Sequence, residues 1–196
     1  MIFNTHSHLA GKHATLSASK YHWLRYSPEK LRTWFFTQLQ AAKGTELHNF
    51  AAIAIKMRQK LPRNGKTLNR YVNDCIGFNM TPEQVLFYSI RSFGTADAIG
   101  FRQVEGPDGQ KLSELRIFDL KTGVSKASFD QLLIYAGFFM LEYDMLPGDF
   151  DLVEFRIYQN DSCEIWSPQI EDLAYVMDRI KTSDRILEEM FAELIG

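Results

Sequence analysis

The chain has 196 residues, of which 45% are hydrophobic and 23% are charged, and its formal net charge is −2. This composition is typical of one globular domain and excludes a wholly disordered, collagen-like or coiled-coil chain. No apolar run approaches the ~18 residues of a membrane span, the first residues lack the pattern of a signal peptide, and there are only two cysteines. We therefore expect a reduced, cytoplasmic protein without a membrane partner.

The N-terminal segment 1–16 has no periodic pattern, and we expect it to be a mobile terminus. Three histidines occur there, but no cysteine or carboxylate stands beside them to complete a metal site. They are His6, His8 and His13.

Two helices are predicted next. Ser27-Pro28-Glu29 is typical of a helix start, with serine as the cap and proline at the first position. Gly44 is expected to interrupt or end this helix. A second helix is predicted from about Thr45 to Leu61. Its apolar face consists of Leu47, Phe50, Ala51, Ala54 and Ile55.

The middle of the chain changes its periodicity. Thr81-Pro82-Glu83 predicts a turn or a short helical piece. Three apolar, β-branched runs then predict a three-stranded antiparallel meander, with a strong turn signal over 105–110. The predicted strands are Val85–Phe93, Ala96–Val104 and Leu112–Leu120.

A long helix over 125–145, a strand over 152–158 and a final helix over 168–194 complete the predicted elements. Their order indicates an α/β fold with a central mixed sheet, the meander plus a further strand, flanked by helices. We expect one domain over 1–196, with a helical lead-in (1–43), a core (44–158) and a C-terminal helix (159–196). The final helix either packs internally or forms a subunit interface in an oligomer.

Charge is divided along the chain. Residues 1–140 carry 18 basic and 10 acidic side chains, whereas residues 141–196 carry 4 and 14. A run without any acidic residue consists of Lys56, Arg58, Lys60, Arg63, Lys66 and Arg70. Such a run fits a polyanion such as nucleic acid. A solvated helix end followed by a polar loop is the alternative interpretation.

The third predicted strand ends with the pair Asp119 and Lys121, which project to the same side because they are two residues apart. Asp97 lies 22 positions earlier, at a strand start or hairpin turn. If the intervening turn folds the strands back, the two aspartates reach one end of the sheet and could bind a hard cation such as Mg²⁺ or Mn²⁺. Taken singly, a strand-end salt bridge and a turn aspartate are the alternatives.

Two further positions belong to the same set. His48 stands four residues after Gly44 near a helix start, and Gln131 and Tyr135 are four apart on one face of the 125–145 helix. By themselves, a core histidine and an ordinary amphipathic helix surface would explain them.

In this order, Gly-x-x-x-His, Gly-x-x-Asp, Asp-x-Lys and Gln-x-x-x-Tyr resemble the PD-(D/E)xK nuclease superfamily over residues 44–135. They are most similar to its RecB-like branch, which includes the RecBCD nuclease domain, CRISPR-associated exonucleases and lambda-type phage exonucleases. The resemblance implies a restriction-endonuclease-like core. Two departures are Ala96, where the superfamily has proline, and Asp119, where glutamate is more frequent. Without four cysteines, no iron–sulfur cluster is expected.

The resemblance also implies the role of each residue. His48, Asp97, Asp119 and the backbone carbonyl of Leu120 would bind Mg²⁺ or Mn²⁺, and Lys121 would be the catalytic lysine. Gln131 and Tyr135 would complete the catalytic set beside the metal and the DNA backbone. The basic run over 56–70 would contact DNA phosphates.

The expected function is that of a divalent-metal-dependent DNA nuclease. An exonuclease in recombination or DNA-end processing, phage-encoded and with a recombinase or annealing protein as partner, is the leading expectation. The alternatives are an endonuclease for restriction, nicking or defence, and a non-catalytic DNA-binding protein on the same fold.

Overall fold

The computed structural model describes residues 14–107, 109–123 and 125–195. Its helices are α1 (Pro28–Lys56), α2 (Thr67–Gly77), α3 (Asp130–Glu142) and α4 (Ile170–Ile195), and its strands are β1 (Thr81–Ser89), β2 (Ser92–Glu105), β3 (Lys111–Leu120), β4 (Leu152–Gln159) and β5 (Ser162–Trp166). None of these helices is both long and apolar enough to cross a membrane. The three N-terminal histidines lie outside the described residues.

The chain divides into two compact units between Thr45 and Glu46, a boundary that falls inside α1. In the first unit, a 3₁₀ segment over Ala18–Arg25 is held by the indole nitrogen of Trp23, which donates to the carbonyl of Ser17 at 3.0 Å. The second unit contains the whole sheet.

The sheet is mixed and five-stranded, in the order β1-β2-β3-β4-β5. Strands β1, β2 and β3 pair antiparallel, β3 and β4 pair parallel, and β4 and β5 pair antiparallel. The α/β class is therefore confirmed, but the prediction of a meander plus one strand is wrong because β5 was missed. Asn160 and Asp161 both have positive φ, as a two-residue type I′ hairpin turn requires. The Asn-Asp pair itself is the sequence signal for this turn, because both residue types tolerate the left-handed region.

Helices cover both faces of the sheet. On one face, α2 and the second half of α1 pack on the ends of β3 and β4, where Phe118, Leu120 and Tyr158 are buried. On the other face, α3 and α4 pack on Leu115 and Ile117 of β3 and on β4. The candidate site lies where β2 and β3 pass between these two layers.

Three predictions about helices are wrong. Helix α1 continues through Gly44 to Lys56 as one helix, because an interior glycine costs only ~1 kcal/mol and does not by itself end a helix. Phe50 is exposed rather than part of the buried face. Helix α3 begins at Asp130 and ends at Glu142, and is therefore shorter than the predicted 125–145.

Helix α2 is a further element that differs from the sequence prediction, because its apolar stripe lies among basic residues that favour a solvated loop. Its buried residues are Tyr71, Val72, Cys75 and Ile76. This i, i+1, i+4, i+5 spacing is helical, and could have been recognised from the sequence.

The predicted turn at 81–83 is also wrong, because β1 begins at Thr81. The hairpin between β1 and β2 turns at Ile90 and Arg91 instead. The predicted first strand, 85–93, runs across this turn. Because apolar residues stand on both sides of the turn, hydrophobicity alone predicts one continuous strand there.

The apolar stripe of α4 is buried only in its first half. Leu173, Met177 and Ile180 pack in the core, whereas Ile186 and Met190 are about half exposed, at 47% and 52%. A subunit interface along this second half stays a prediction.

Asp184 connects α4 to the hairpin between β1 and β2. This buried carboxylate accepts hydrogen bonds from the hydroxyls of Ser89 and Ser92, and Arg91 lies 3.3 Å away. The hydrogen bond from Ser89 is the main reason that the pKa of Asp184 is lowered. The hairpin is therefore fixed to the helix by a charged group.

We expect Asp184→Asn to reduce the free energy of unfolding by about 2 kcal/mol at neutral pH, the scale of hydrogen bonds to a charged group. A lowered pKa gives stability that is present above the usual aspartate range and is lost as the pH falls through the folded-state value. Urea unfolding at pH 7 and pH 3, beside the exposed control Asp178→Asn, would test this. If the deficit stays the same at pH 3, it comes from packing and not from charge.

Candidate metal centre

The register between β2 and β3 brings two carboxylates together. Ala98 pairs with Phe118, so that the same antiparallel register, continued by one residue, places Asp97 opposite Asp119. Oδ2 of Asp97 also accepts a hydrogen bond of 2.9 Å from the backbone N–H of Leu120. Asp97 lies inside β2 and not at a turn, which corrects the sequence prediction. The two aspartates nevertheless stand opposite each other, because neighbouring strands carry them, and the charge of Asp97 acts on Asp119.

A third acidic residue, Glu83, completes a group with His48 and Asp97 that the sequence did not predict. One ligand atom each from His48, Glu83 and Asp97 lies within 4.8 Å of the others. Pro82 and Gln84, the neighbours of Glu83, pair with Ala98 and Ala96 of β2, so the register of the two strands puts Glu83 opposite Asp97. The φ of Glu83, +53°, is uncommon for a residue that is not glycine, and such backbone strain concentrates at functional sites. Because 81–83 was predicted to be a turn, nothing in the sequence pointed to Glu83.

His48 reaches this group from α1. It lies on the same helical face as Ala51, Ala52 and Ile55, which pack towards the sheet. Its Nδ1 is 3.4 Å from Oδ2 of Asp97. The interaction with Asp97 is the main cause of the raised pKa of His48, against the opposing effect of burial.

An imidazole and two carboxylates form a donor set that suits a divalent cation such as Mn²⁺ or Mg²⁺. A cation would also replace the proton that this environment favours on His48. Burial, followed by the charge of Asp97, raises the pKa of Glu83, and the positive charges of His48 and Lys56 oppose this shift. The group therefore offers the donor atoms of a candidate metal site.

Asp119 is 2% exposed and lies outside the His48–Glu83–Asp97 group. Its Oδ1 accepts a hydrogen bond of 3.1 Å from Nζ of Lys121. Its Oδ2 lies 3.0 Å from the same Nζ but, among the described residues, has no hydrogen bond of acceptable geometry. Burial, with the nearby charge of Asp97, raises the pKa of Asp119. A buried carboxylate oxygen that has no well-formed hydrogen bond is available to coordinate a cation.

Polar side chains of α3 continue the cluster. Nζ of Lys121 donates to Oε1 of Gln131 at 2.8 Å, and Nε2 of Gln131 lies 2.8 Å from the hydroxyl of Tyr135. The structure thus connects Asp119, Lys121, Gln131 and Tyr135 through consecutive contacts. These are the residues that the sequence motifs singled out after Asp97.

Leu120 is the last residue of β3. Its N–H donates to Asp97, and the following N–H, that of Lys121, donates to the carbonyl of Tyr158 at 2.9 Å. These bonds fix the backbone beside the two aspartates. Metal coordination by the Leu120 carbonyl stays a prediction.

Gly94 is needed for space. A Cβ at this position would lie 2.9 Å from Cε1 of Tyr135, which is closer than real Cβ contacts. The glycine of the Gly-x-x-Asp motif therefore lets the ring of Tyr135 lie against β2 and bond to Gln131.

We expect Gly94→Ala to reduce stability by ~1–3 kcal/mol, the usual cost of overpacking. Thermal unfolding would measure the loss, with Gly148→Ala as the control because a Cβ there meets nothing within 4 Å. In the double variant Gly94→Ala/Tyr135→Ala the clash is absent, so the two losses should be clearly less than additive. Strict additivity would contradict the proposed contact.

The six cations of the predicted DNA-binding run are all exposed; they lie at the end of α1, in the following loop and in α2. Two of them already have partners. Arg58 donates to Oδ1 of Asn79 at 2.6 Å, and Nζ of Lys66 donates to Asp161 at 2.8 Å. The six cations of the run are therefore not all equally free to contact DNA phosphates.

No protein-family model, no curated protein and no solved structure matches this chain. Its function is therefore inferred from the geometry of the site.

Proposed function

We propose that this protein is a divalent-metal-dependent DNA nuclease built on a restriction-endonuclease-like core. The observation that carries the proposal is the convergence of the His48–Glu83–Asp97 group with the Asp119–Lys121 pair at adjacent positions of β2 and β3. The pairing of three antiparallel strands with a parallel fourth, between helical layers, fits this core.

A divalent ion held by His48, Glu83 and Asp97, with Asp119 beside it, would supply a bound water of lowered pKa and positive charge for the phosphate oxygens. The residues of the chain perform the remaining tasks. Asp97 accepts the N–H of Leu120, which keeps its carboxylate in position. The raised pKa of His48 means that binding of a cation competes with a proton, and metal affinity should fall as the pH is lowered.

Lys121 orients the attacking water and adds positive charge near the phosphate. Its ammonium is held from two sides, by Asp119 and by Oε1 of Gln131. Gln131 then positions a water or a phosphate oxygen, and Tyr135 binds a backbone phosphate. This arrangement positions the donors before the substrate arrives.

The same geometry serves exonucleases and endonucleases, and the exonuclease assignment, with a recombinase or annealing protein as partner, depends on the sequence resemblance alone.

Cys75 and Cys163 are both free thiols, which fits a reducing compartment such as the cytoplasm.

The test is incubation of the protein with end-labelled linear duplex and with closed circular plasmid, each in Mg²⁺, Mn²⁺ or EDTA. Asp97→Asn is the site variant, and Asp178→Asn, the same substitution at an exposed position of α4, is the matched control. Metal-dependent loss of the linear substrate alone, absent only in Asp97→Asn, supports an exonuclease. Cutting of the circle supports an endonuclease. Absence of cleavage, together with no thermal shift on adding either metal, would overturn the proposal.

A further inference from the structure

A cavity of about 450 Å³ lies between the loop that follows α1 and the outer face of α2, away from the candidate metal centre. Three cations of the basic run line it, namely Lys60, Arg63 and Arg70, together with an apolar wall that includes Leu61, Pro62 and Phe78. The volume falls within the ~300–1,000 Å³ range of small-ligand pockets. It is therefore large enough for a nucleotide unit and not only for a phosphate group.

The loop that forms this cavity is fixed in place. The side chain of Asn73 accepts a hydrogen bond from the N–H of Leu61 at 2.8 Å and donates to its carbonyl at 2.9 Å. Nδ2 of Asn69 donates to the carbonyl of Pro62 and to Oδ1 of Asn64. These bonds connect α2 to Leu61, Pro62 and Asn64 of the loop that follows α1. The loop is thus held against α2 by side-chain hydrogen bonds, which distinguishes it from a freely solvated loop.

The cavity is lined by three cations and one acidic side chain. Asp74 is its one acidic lining residue, and Oδ2 of that carboxylate accepts the hydroxyl of Tyr158 at 2.8 Å and lies 3.6 Å from Arg156. Within the described parts of the chain, Lys60, Arg63 and Arg70 have no ion pair, whereas Lys66 of the same run is paired with Asp161. Three cations beside an apolar wall match a phosphate that carries its sugar and base.

From these observations we infer that the cavity binds a nucleotide unit of single-stranded DNA. A flexible single strand can place a phosphate and its sugar together in a concave site. In a duplex the sugars belong to a stacked helix with a convex surface, so only its phosphates could approach a concave site. The inference depends on the proposed function for its choice of ligand, and it adds a strand preference and a specific binding site.

The test is fluorescence anisotropy of a labelled oligo(dT) strand and of a hairpin duplex of equal length, in EDTA and over a range of salt concentrations. We expect Arg63→Ala/Arg70→Ala to weaken binding of the single strand about tenfold and to reduce the slope of log K against log salt by about 1.4, since each phosphate contact on a single strand contributes ~0.7. Lys181→Ala/Arg185→Ala, which removes the same charge from α4, is the control and should change neither quantity.

Three results would overturn the inference: single-strand binding equal to that of the control, an equal loss on the duplex, or free thymidine monophosphate binding as tightly as the strand. The last would identify a site for free nucleotides. Because EDTA prevents metal-dependent cleavage, the binding result is independent of the nuclease assay. Cleavage with unchanged binding would refute this site alone, and the expected binding without cleavage would refute the nuclease alone.

Discussion

Asp119→Asn is expected to abolish metal-dependent cleavage while leaving the metal-free protein at least as stable as the wild type. Asp119 is almost fully buried, and among the described residues its one cationic partner is Lys121. Loss of a carboxylate beside the metal should reduce cleavage about a thousandfold, since a Lewis-acid contribution of ~4 kcal/mol corresponds to three decades of rate.

The expected stability of Asp119→Asn without metal follows from the raised pKa of Asp119 in the wild type. Burial is the largest cause, and it outweighs the attraction of Lys121. A carboxyl group whose pKa is higher in the folded state binds its proton more tightly there, so the wild type loses stability as the pH rises from the unfolded to the folded value. Asparagine carries no charge at any pH. The advantage of the variant should therefore be absent at low pH and largest at neutral pH.

Thermal unfolding in EDTA from pH 3 to pH 8 would measure this, beside Asp178→Asn as the matched substitution on an exposed residue. The same samples with Mn²⁺ would show whether metal still stabilises the variant. A variant that is less stable than the wild type at pH 7 and also inactive would make Asp119 a structural residue, and would remove the strongest support for its role at the metal.

The parts of the fold that could be predicted are those with regular hydrophobic periodicity. The 152–158 strand and the final helix were recognised because apolar residues recur there at strand or helical spacing. Gly44 does not end α1, because an interior glycine costs a helix only ~1 kcal/mol. Conversely, α2 carried a clear helical stripe that the basic residues around it concealed.

At the candidate site, sequence order identified the residues that a single pair of strands or one helix face brings together, such as Asp97 with Asp119 and Gln131 with Tyr135. It could not identify Glu83, because that residue joins His48 and Asp97 only through the pairing of β1 with β2. It assigned no role to Gly94 beyond the motif. The close approach of the Tyr135 ring depends on how α3 packs on the sheet, which no local pattern records.

Lys121→Met is expected to reduce cleavage a hundredfold or more through kcat, while leaving binding of metal at the His48–Glu83–Asp97 group intact. The ammonium is held by Asp119 and Gln131 and is not itself a metal ligand, so its loss removes charge stabilisation and water positioning in the transition state. Lys126→Met, on an exposed residue of the same loop, is the control. Cleavage equal to that of the control would exclude Lys121 from the mechanism.

The same variant should also be less stable without metal, because it leaves the Asp119 carboxylate buried and without a cation. Full burial of a broken pair costs ~3–5 kcal/mol, but the side chain of Lys121 is 30% exposed, so a loss of about 1–2 kcal/mol is expected. The double variant Lys121→Met/Asp119→Asn removes the stranded charge, and it should recover this stability without recovering cleavage. Recovery of stability would assign the loss in Lys121→Met to the unpaired Asp119 charge. The catalytic role is then tested on Lys121→Met alone, at a temperature where it stays folded, because Asp119→Asn by itself is expected to reduce cleavage about a thousandfold. If the double variant stays as unstable as Lys121→Met, the lysine stabilises the fold through contacts other than Asp119.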